Sequence, residues 1–241
     1  MTERGTEDLG TILGVWAHPD DEAYLSAALM ARAVRNGDRV VCVTATRGEE
    51  GSWDEERWPP AELGAIRQAE LERCLAILGV SEHHWLDYLD GKVDAVPDRE
   101  GTERIAAFMA EVGPDSVLTF GPEGMTDHPD HKAVHRWTGA AFDRVAKPGA
   151  RLFHAVVTPD WAERWKPKLD RFNVFFSPDT PRIVERADLS IEWDLPDEVL
   201  DLKYRAIREH VSQTEGFAKA FGPDFLRDSN AGEYFVLART R

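Results

Sequence analysis

The chain has 241 residues, 42% hydrophobic and 30% charged, which suffices to bury a sizeable core in one large domain or two small ones. Its formal net charge is 29 − 44 = −15. That balance argues against a nucleic-acid partner and against binding to an anionic membrane surface, since both need a basic face. No apolar run approaches the roughly 20 residues of a membrane span, so no membrane insertion is expected. The polar, acidic start MTERGTEDLG does not read as a secretory leader. Cys42 and Cys74 sit in apolar or helical patterns and read as small buried hydrophobes. A cytoplasmic protein is expected.

In chain order, the pattern predicts a buried strand over 11–17. A helix over 21–36 follows, with Leu25, Leu29, Ala33 and Val34 at helical spacing and Gly37 as its stop. A strand over 39–46, a polar loop over 47–60 and a helix over 61–78 closed by Gly79 come next. Then come a strand over 83–86, a helix over 101–111, a strand over 116–120, a helix over 129–145 and a strand over 151–156. Residues 157–180 hold Trp161, Trp165, Phe172, Phe175 and Phe176 and read as an aromatic insertion or lid. A helix over 196–211 and a strand over 233–238 close the chain. No repeat or linker divides it, so residues 1–241 are read as a single domain. Strand and helix alternating at this spacing mean an α/β fold with a mostly parallel sheet and helices on both faces. The crossover rule puts the strand C-termini on one edge, where ligands bind.

Two segments on that edge carry chemistry. Ala17-His18-Pro19-Asp20-Asp21-Glu22 follows the first strand, and Thr126-Asp127-His128-Pro129-Asp130-His131 follows the strand over 116–120. His-Pro-Asp thus occurs twice, 128 − 18 = 110 residues apart. Helix capping explains the prolines and the carboxylates. It does not explain three histidines, because a neutral imidazole is expected to gain nothing at a helix N-terminus. A metal site does explain them. Two imidazoles and a carboxylate (His18, His131, Asp21) suit Zn²⁺ and leave a position for water, whose pKa the ion lowers. Ligand types alone do not fix the metal, so Fe²⁺ stays an alternative. Asp20, beside a ligand, is the candidate general base. His128 is the candidate donor to an oxyanion or leaving amine. Asp130 is expected to fix the His128 tautomer or to support His131.

These motifs resemble the PIG-L/LmbE family of metal-dependent de-N-acetylases, which includes N-acetylglucosaminyl-phosphatidylinositol deacetylases and enzymes of mycothiol and bacillithiol metabolism. The resemblance covers nearly the whole chain. His-Pro-Asp-Asp-Glu at 18–22 and His-Pro-Asp-His at 128–131 are its specific part. The segments at 44–49, 67–70 and 86–91, and Lys203 with His210-Val211-Ser212-Gln213, are supportive. The resemblance implies a Rossmann-like sheet, His18, Asp21 and His131 as metal ligands, Asp20 as base, and His128 stabilising the tetrahedral intermediate. It also implies that Arg67 and Asp90 face the substrate. The implied partner is a small N-acylated amino sugar or its conjugate, and a homo-oligomer is compatible with the sequence. In mycothiol-type members an aromatic residue and a Gly precede the second motif. Here Thr126 and Asp127 stand there, and the added carboxylate is expected to alter the mouth of the site.

Other readings are weaker. A facial-triad Fe(II) oxygenase would be expected on a jelly roll, not on α/β units. No Gly-x-Gly-x-x-Gly follows the first strand, and no Gly-x-Ser-x-Gly elbow is present. A non-catalytic sugar-binding pseudoenzyme would be expected to have lost Asp20 or His128, and both are intact. His135 lies one turn after His131, but His18 and Asp21 already complete the ligand set.

Overall fold

A computed structural model describes residues 2–241. Its elements are β1 (Glu3–Arg4), β2 (Ile12–Trp16), α1 (Asp21–Leu25), α2 (Ala27–Asn36), β3 (Val40–Thr44), α3 (Pro60–Leu78), β4 (Glu82–Trp85), α4 (Asp98–Val112) and β5 (Ser116–Phe120). They continue with α5 (Gly124–Asp127), α6 (Pro129–Val145), β6 (Arg151–Ala155), α7 (Pro159–Leu169), β7 (Ile191–Asp194), α8 (Asp197–Glu209), α9 (Val211–Phe221), α10 (Phe225–Ser229) and β8 (Gly232–Thr240). The eight strands form one sheet in the order β1-β7-β8-β6-β5-β2-β3-β4.

β4, β3, β2, β5 and β6 run parallel. The runs ILGVW, VVCVT and SVLTF are buried at every position, as a strand covered on both faces requires. From β2 the chain winds outward to β3 and β4, then returns to β5 on the other side. The β2/β5 boundary is therefore the switch point of the sheet, where a crevice opens beyond the strand ends. Both His-Pro-Asp segments leave the sheet there. β8 pairs antiparallel with β6, and β7 and β1 extend that edge antiparallel. So the sheet is mostly parallel, but not every strand ends on one edge.

Trp16, Phe120, Trp137 and Phe142 are buried in the core, each worth on the order of 1.5–3 kcal/mol of burial. Trp137 lies against Gly101 of α4, where an added Cβ would sit 2.1 Å from the indole. This small residue in the first turn of α4 is what lets α4 and α6 approach there. Cys42 and Cys74 are buried and unpaired. No helix among the described residues is long and apolar enough to cross a membrane.

Two local expectations, the helices over 21–36 and 196–211, are corrected. The helix over 21–36 breaks at Ser26, whose φ is −143°. The restart is capped from far away, with Ala28 and Leu29 N–H donating to the Glu233 carboxylate at 2.8 and 3.0 Å. Lys203 Nζ neutralises that carboxylate at 2.9 Å, with both side chains fully buried. The helix over 196–211 ends at Glu209, and α9 starts beyond a kink at His210. The segment over 157–180 begins with the regular helix α7.

The buried pair gives a stability test. Glu233→Ala strands the Lys203 ammonium and uncaps α2, so it should cost about 3–5 kcal/mol. Lys203→Met should cost less, because two N–H groups still hold Glu233. Urea unfolding of both variants checks this, and equal losses would show that the cap contributes little.

Candidate active site

His18 follows β2 and His131 lies in the first turn of α6. His18 Nδ1 and His131 Nε2 face each other at 3.0 Å. Asp21 Oδ1 lies 3.6 Å from His131 Nε2, and Asp21 Oδ2 lies 3.9 Å from His18 Nδ1. Two metal–ligand bonds of about 2.0 Å at a tetrahedral angle set their ligand atoms about 3.3 Å apart, close to this triangle.

The outer nitrogens decide what the inner ones are. His131 Nδ1 donates to the Gly124 carbonyl at 2.9 Å. His18 Nε2 donates to Asp90 Oδ1 at 3.0 Å, with Asp130 Oδ2 at 3.4 Å. Each ring therefore turns a bare lone pair toward the other. Two lone pairs at 3.0 Å repel unless something positive sits between them, either a proton on His18 or a metal ion. The remaining electrostatics agree. Burial opposes charge on His18, but Asp130 and Asp90 outweigh it and raise its pKa to about 10. Burial, with Asp20 and Glu22 nearby, pushes Asp21 up to about 7 in spite of His18. Burial and the charge on His18 hold His131 well below the ordinary histidine value. The residues thus fit a single divalent ion.

Asp20 occupies a strained backbone, with φ 118° and ψ −28°. The conformation is held from three directions. Its N–H donates to Glu22 Oε2 at 3.0 Å. Its carbonyl accepts the Ala23 and Tyr24 N–H groups. Its carboxylate accepts from Arg67 Nη2 at 3.2 Å. Behind it, His210 Nε2 meets Glu22 Oε1 at 3.0 Å in a fully buried contact. Burial raises the Asp20 pKa and Arg67 opposes that rise.

His128 is the residue just before α6, and its Nδ1 accepts the Asp130 N–H at 3.2 Å. A neutral histidine does gain from a helix N-terminus, contrary to expectation. The bond fixes the hydrogen on Nε2. Burial, then the charge on His18, lowers the His128 pKa to about 4. His128 is therefore a neutral N–H donor at the cavity wall.

Three expected roles shift. Arg67 lines the cavity but is already engaged: it is 3% exposed and bonds Pro19 O and Gly48 O as well as Asp20. Asp90 lines the cavity but is engaged with His18. Burial disfavours its ionisation, yet His18 and the Glu50 N–H hold it well below the carboxylate range. Asp130 is fully buried, and its carboxylate accepts from Gly91 and Val93 N–H and faces His18 rather than His128 or His131. It fixes the His128 tautomer through its backbone N–H instead. Asp127 pairs with Lys132 at 2.6 Å and is not among the residues lining the cavity. Thr126 does line it. His135 bonds the Phe120 carbonyl and packs on His154, away from the ligand triangle. Glu22 and Glu70 are the residues that sequence reasoning underrated. Glu70 binds the Ser212 N–H and hydroxyl at 2.8 and 2.6 Å, tying α3 to α9.

The GlcNAc-PI de-N-acetylase family model matches residues 13–142, more than half of the chain and including both motifs. The chain belongs to that family. Its enzyme class is that of an N-deacetylase. It is 31% identical over 262 residues to a 1D-myo-inositol 2-acetamido-2-deoxy-α-D-glucopyranoside deacetylase from Saccharomonospora viridis, covering 95% of each chain. The N,N′-diacetylchitobiose deacetylase of Pyrococcus horikoshii shares the fold, with a TM-score of 0.68, 22% identity, and 97% of this chain and 85% of that one covered. So does GalB, a 4-carboxy-2-hydroxymuconate hydratase from Pseudomonas putida, with a TM-score of 0.64, 17% identity, and 96% and 97% covered. One fold serves two reactions, so the side chains must carry the assignment.

The strain at Asp20 is measurable. Asp20→Gly should be more stable than Asp20→Ala by about 1–2 kcal/mol, the reverse of the usual order, because only glycine adopts this φ without cost. Thermal unfolding of the two variants tests it, and the ordinary order would mean that the backbone relaxes.

Proposed function

We propose that the chain is a zinc-dependent hydrolase that removes an N-acyl group, acetyl foremost, from the nitrogen of an amino-sugar-containing small molecule, with Fe²⁺ as the alternative ion. One observation carries most of this reading: two imidazole nitrogens face each other at 3.0 Å beside a carboxylate in the wall of a cavity. The name of the Saccharomonospora relative supports an N-acetylglucosamine unit in the substrate. The two unpaired thiols fit a reducing compartment, the cytoplasm.

His18, Asp21 and His131 would hold the ion. It supplies Lewis acidity and a water that ionises near neutral pH. The chain's own residues supply the rest. Asp90 and Asp130 orient His18, and the Gly124 carbonyl orients His131. Asp20 takes a proton from the attacking water and returns it to the departing nitrogen. Arg67 keeps the Asp20 carboxylate ionised and aimed. His128 Nε2–H donates to the oxyanion as the carbonyl becomes tetrahedral. A neutral imidazole suits that role, since it stabilises the charge without surrendering its proton.

Metal analysis of protein purified without chelator or added metal should find about one Zn or Fe per chain. Asp20→Asn should keep that metal and lose on the order of 10²–10⁴-fold in acetate release from an N-acetylglucosamine conjugate. Wild-type turnover surviving in Asp20→Asn would remove Asp20 from the mechanism. An empty site that stays empty after zinc loading would sink the hydrolase reading.

Arg67→Met should move the acid limb of kcat/KM to higher pH. Removing the guanidinium leaves burial unopposed, so the Asp20 pKa rises, and the active carboxylate is lost at a higher pH as acid is added. A pH profile of the metal-loaded variant reads this directly. An unmoved limb would mean that a different group titrates.

A further inference from the structure

The cavity above the ligand triangle has a volume of about 550 Å³, within the roughly 300–1,000 Å³ that encloses a whole drug-sized ligand. Much of its wall is aliphatic, with Leu25, Leu169, Val174 and Leu226 among the lining residues. Two aromatic rings stand at its exposed rim, Trp53 from the loop before α3 and Phe176 from the loop after α7. They are 54% and 59% exposed. Phe176 lies 5.2 Å from the His128 ring, so this surface is continuous with the site. Aromatic rings also stack on sugars, but aliphatic side chains give a hydroxyl-covered ring no partner.

Much of the polar lining is already committed inside the protein. The Gln213 amide donates to Gly51 O and accepts from Trp53 Nε1. Tyr234 OH donates to Asp194. Ser229 and Asn230 bond carbonyls of their own helix. Glu233 is held by Lys203 and α2. Among the described lining residues Arg67 is the one Lys or Arg, and it is bound to Asp20. The Tyr24 hydroxyl is a lining group without a hydrogen-bond partner, but a polyol or phosphate filling this space would still leave most of its polar groups unpaired, at a cost in affinity.

We infer that the substrate carries an apolar body, an alkyl or aryl group, which lodges against the aliphatic wall and the rim rings Trp53 and Phe176. This rests on the N-deacetylase reading above and names the part of the substrate that reading leaves open. The apolar group belongs either to the substituent on the amino sugar or to the acyl chain.

The test measures kcat/KM of the metal-loaded enzyme for three substrates: N-acetylglucosaminyl-inositol, octyl N-acetylglucosaminide and N-octanoylglucosamine. Each buried methylene favours the apolar substrate about fourfold, so four of them give on the order of 10²-fold. One octyl-bearing substrate should therefore exceed the inositol conjugate by about that factor, and which one does so identifies the side that carries the group. Trp53→Ser and Phe176→Ser should each lower that ratio about tenfold. If the inositol conjugate is turned over as well as both octyl compounds, the inference is overturned and the deacetylase reading stands. If none of the three is hydrolysed, the deacetylase reading fails, and calorimetry with octyl β-D-glucoside, which has no amide, still decides the cavity. Tighter binding than inositol, weakened by Trp53→Ser, supports an apolar occupant; equal or absent binding overturns it.

Discussion

Two imidazole nitrogens held 3.0 Å apart are the constraint on which the rest of the site depends. With no cation between them their lone pairs would repel, and either ring could turn away. Neither can, because each outer nitrogen is bonded to a group fixed by the backbone. The Gly124 carbonyl sits in the turn after β5. Asp90 and Asp130 are themselves pinned by the N–H groups of Glu50, Gly91 and Val93. The loops after β3, β4 and β5 thus all terminate on one histidine pair. The geometry requires β2, β3, β4 and β5 to be neighbours with their C-termini together, which is what the parallel part of the sheet provides.

The same loops explain why strain collects here. Asp20, Met125 and Asp127 all have positive φ, at 118°, 59° and 68°, and all lie within the two motif segments or immediately beside them. Relaxing them would turn the side chains away from the crevice. The surroundings resist that, through Glu22 and Arg67 on Asp20 and through the cap on α6. The Glu22–His210 contact and the Glu70–Ser212 bonds carry the restraint to α9 on the far side of α3. The late His-Val-Ser-Gln segment therefore bears on the site from behind, and its Gln213 also lines the cavity.

Much of this was legible in the sequence because it is local. The strand runs, the Gly37 and Gly79 stops, and the coincidence of His-Pro-Asp with two strand ends are all short-range patterns. What was not legible depends on partners distant in the chain. The break at Ser26 is set by Glu233, more than two hundred residues away, and no pattern within 21–36 encodes it. β7 is four residues long and becomes a strand by pairing with β8. Arg67 and Asp90 have the residue types of substrate-binding groups, and only the folded chain shows Arg67 engaged with Asp20 and Asp90 with His18. Asp127 was expected to charge the mouth, but Lys132, one turn along, takes it up.

His128 shows how one residue can satisfy both readings of a motif. Capping and catalysis look like rivals when histidine is treated as a single group. Its two nitrogens separate them: Nδ1 accepts the helix N–H, and that bond assigns the hydrogen to Nε2 and points it at the cavity. The positive end of the helix also disfavours the imidazolium, so the ring stays neutral while it donates. Proline at the next position has no N–H to compete for Nδ1, which leaves the Asp130 amide as the one that binds it. His-Pro-Asp at a helix start is therefore a compact way to build a neutral donor. At the first motif the same three residues are used differently. There Pro19 contributes its carbonyl to Arg67, Asp20 takes the strained turn, and the imidazole is freed to face His131.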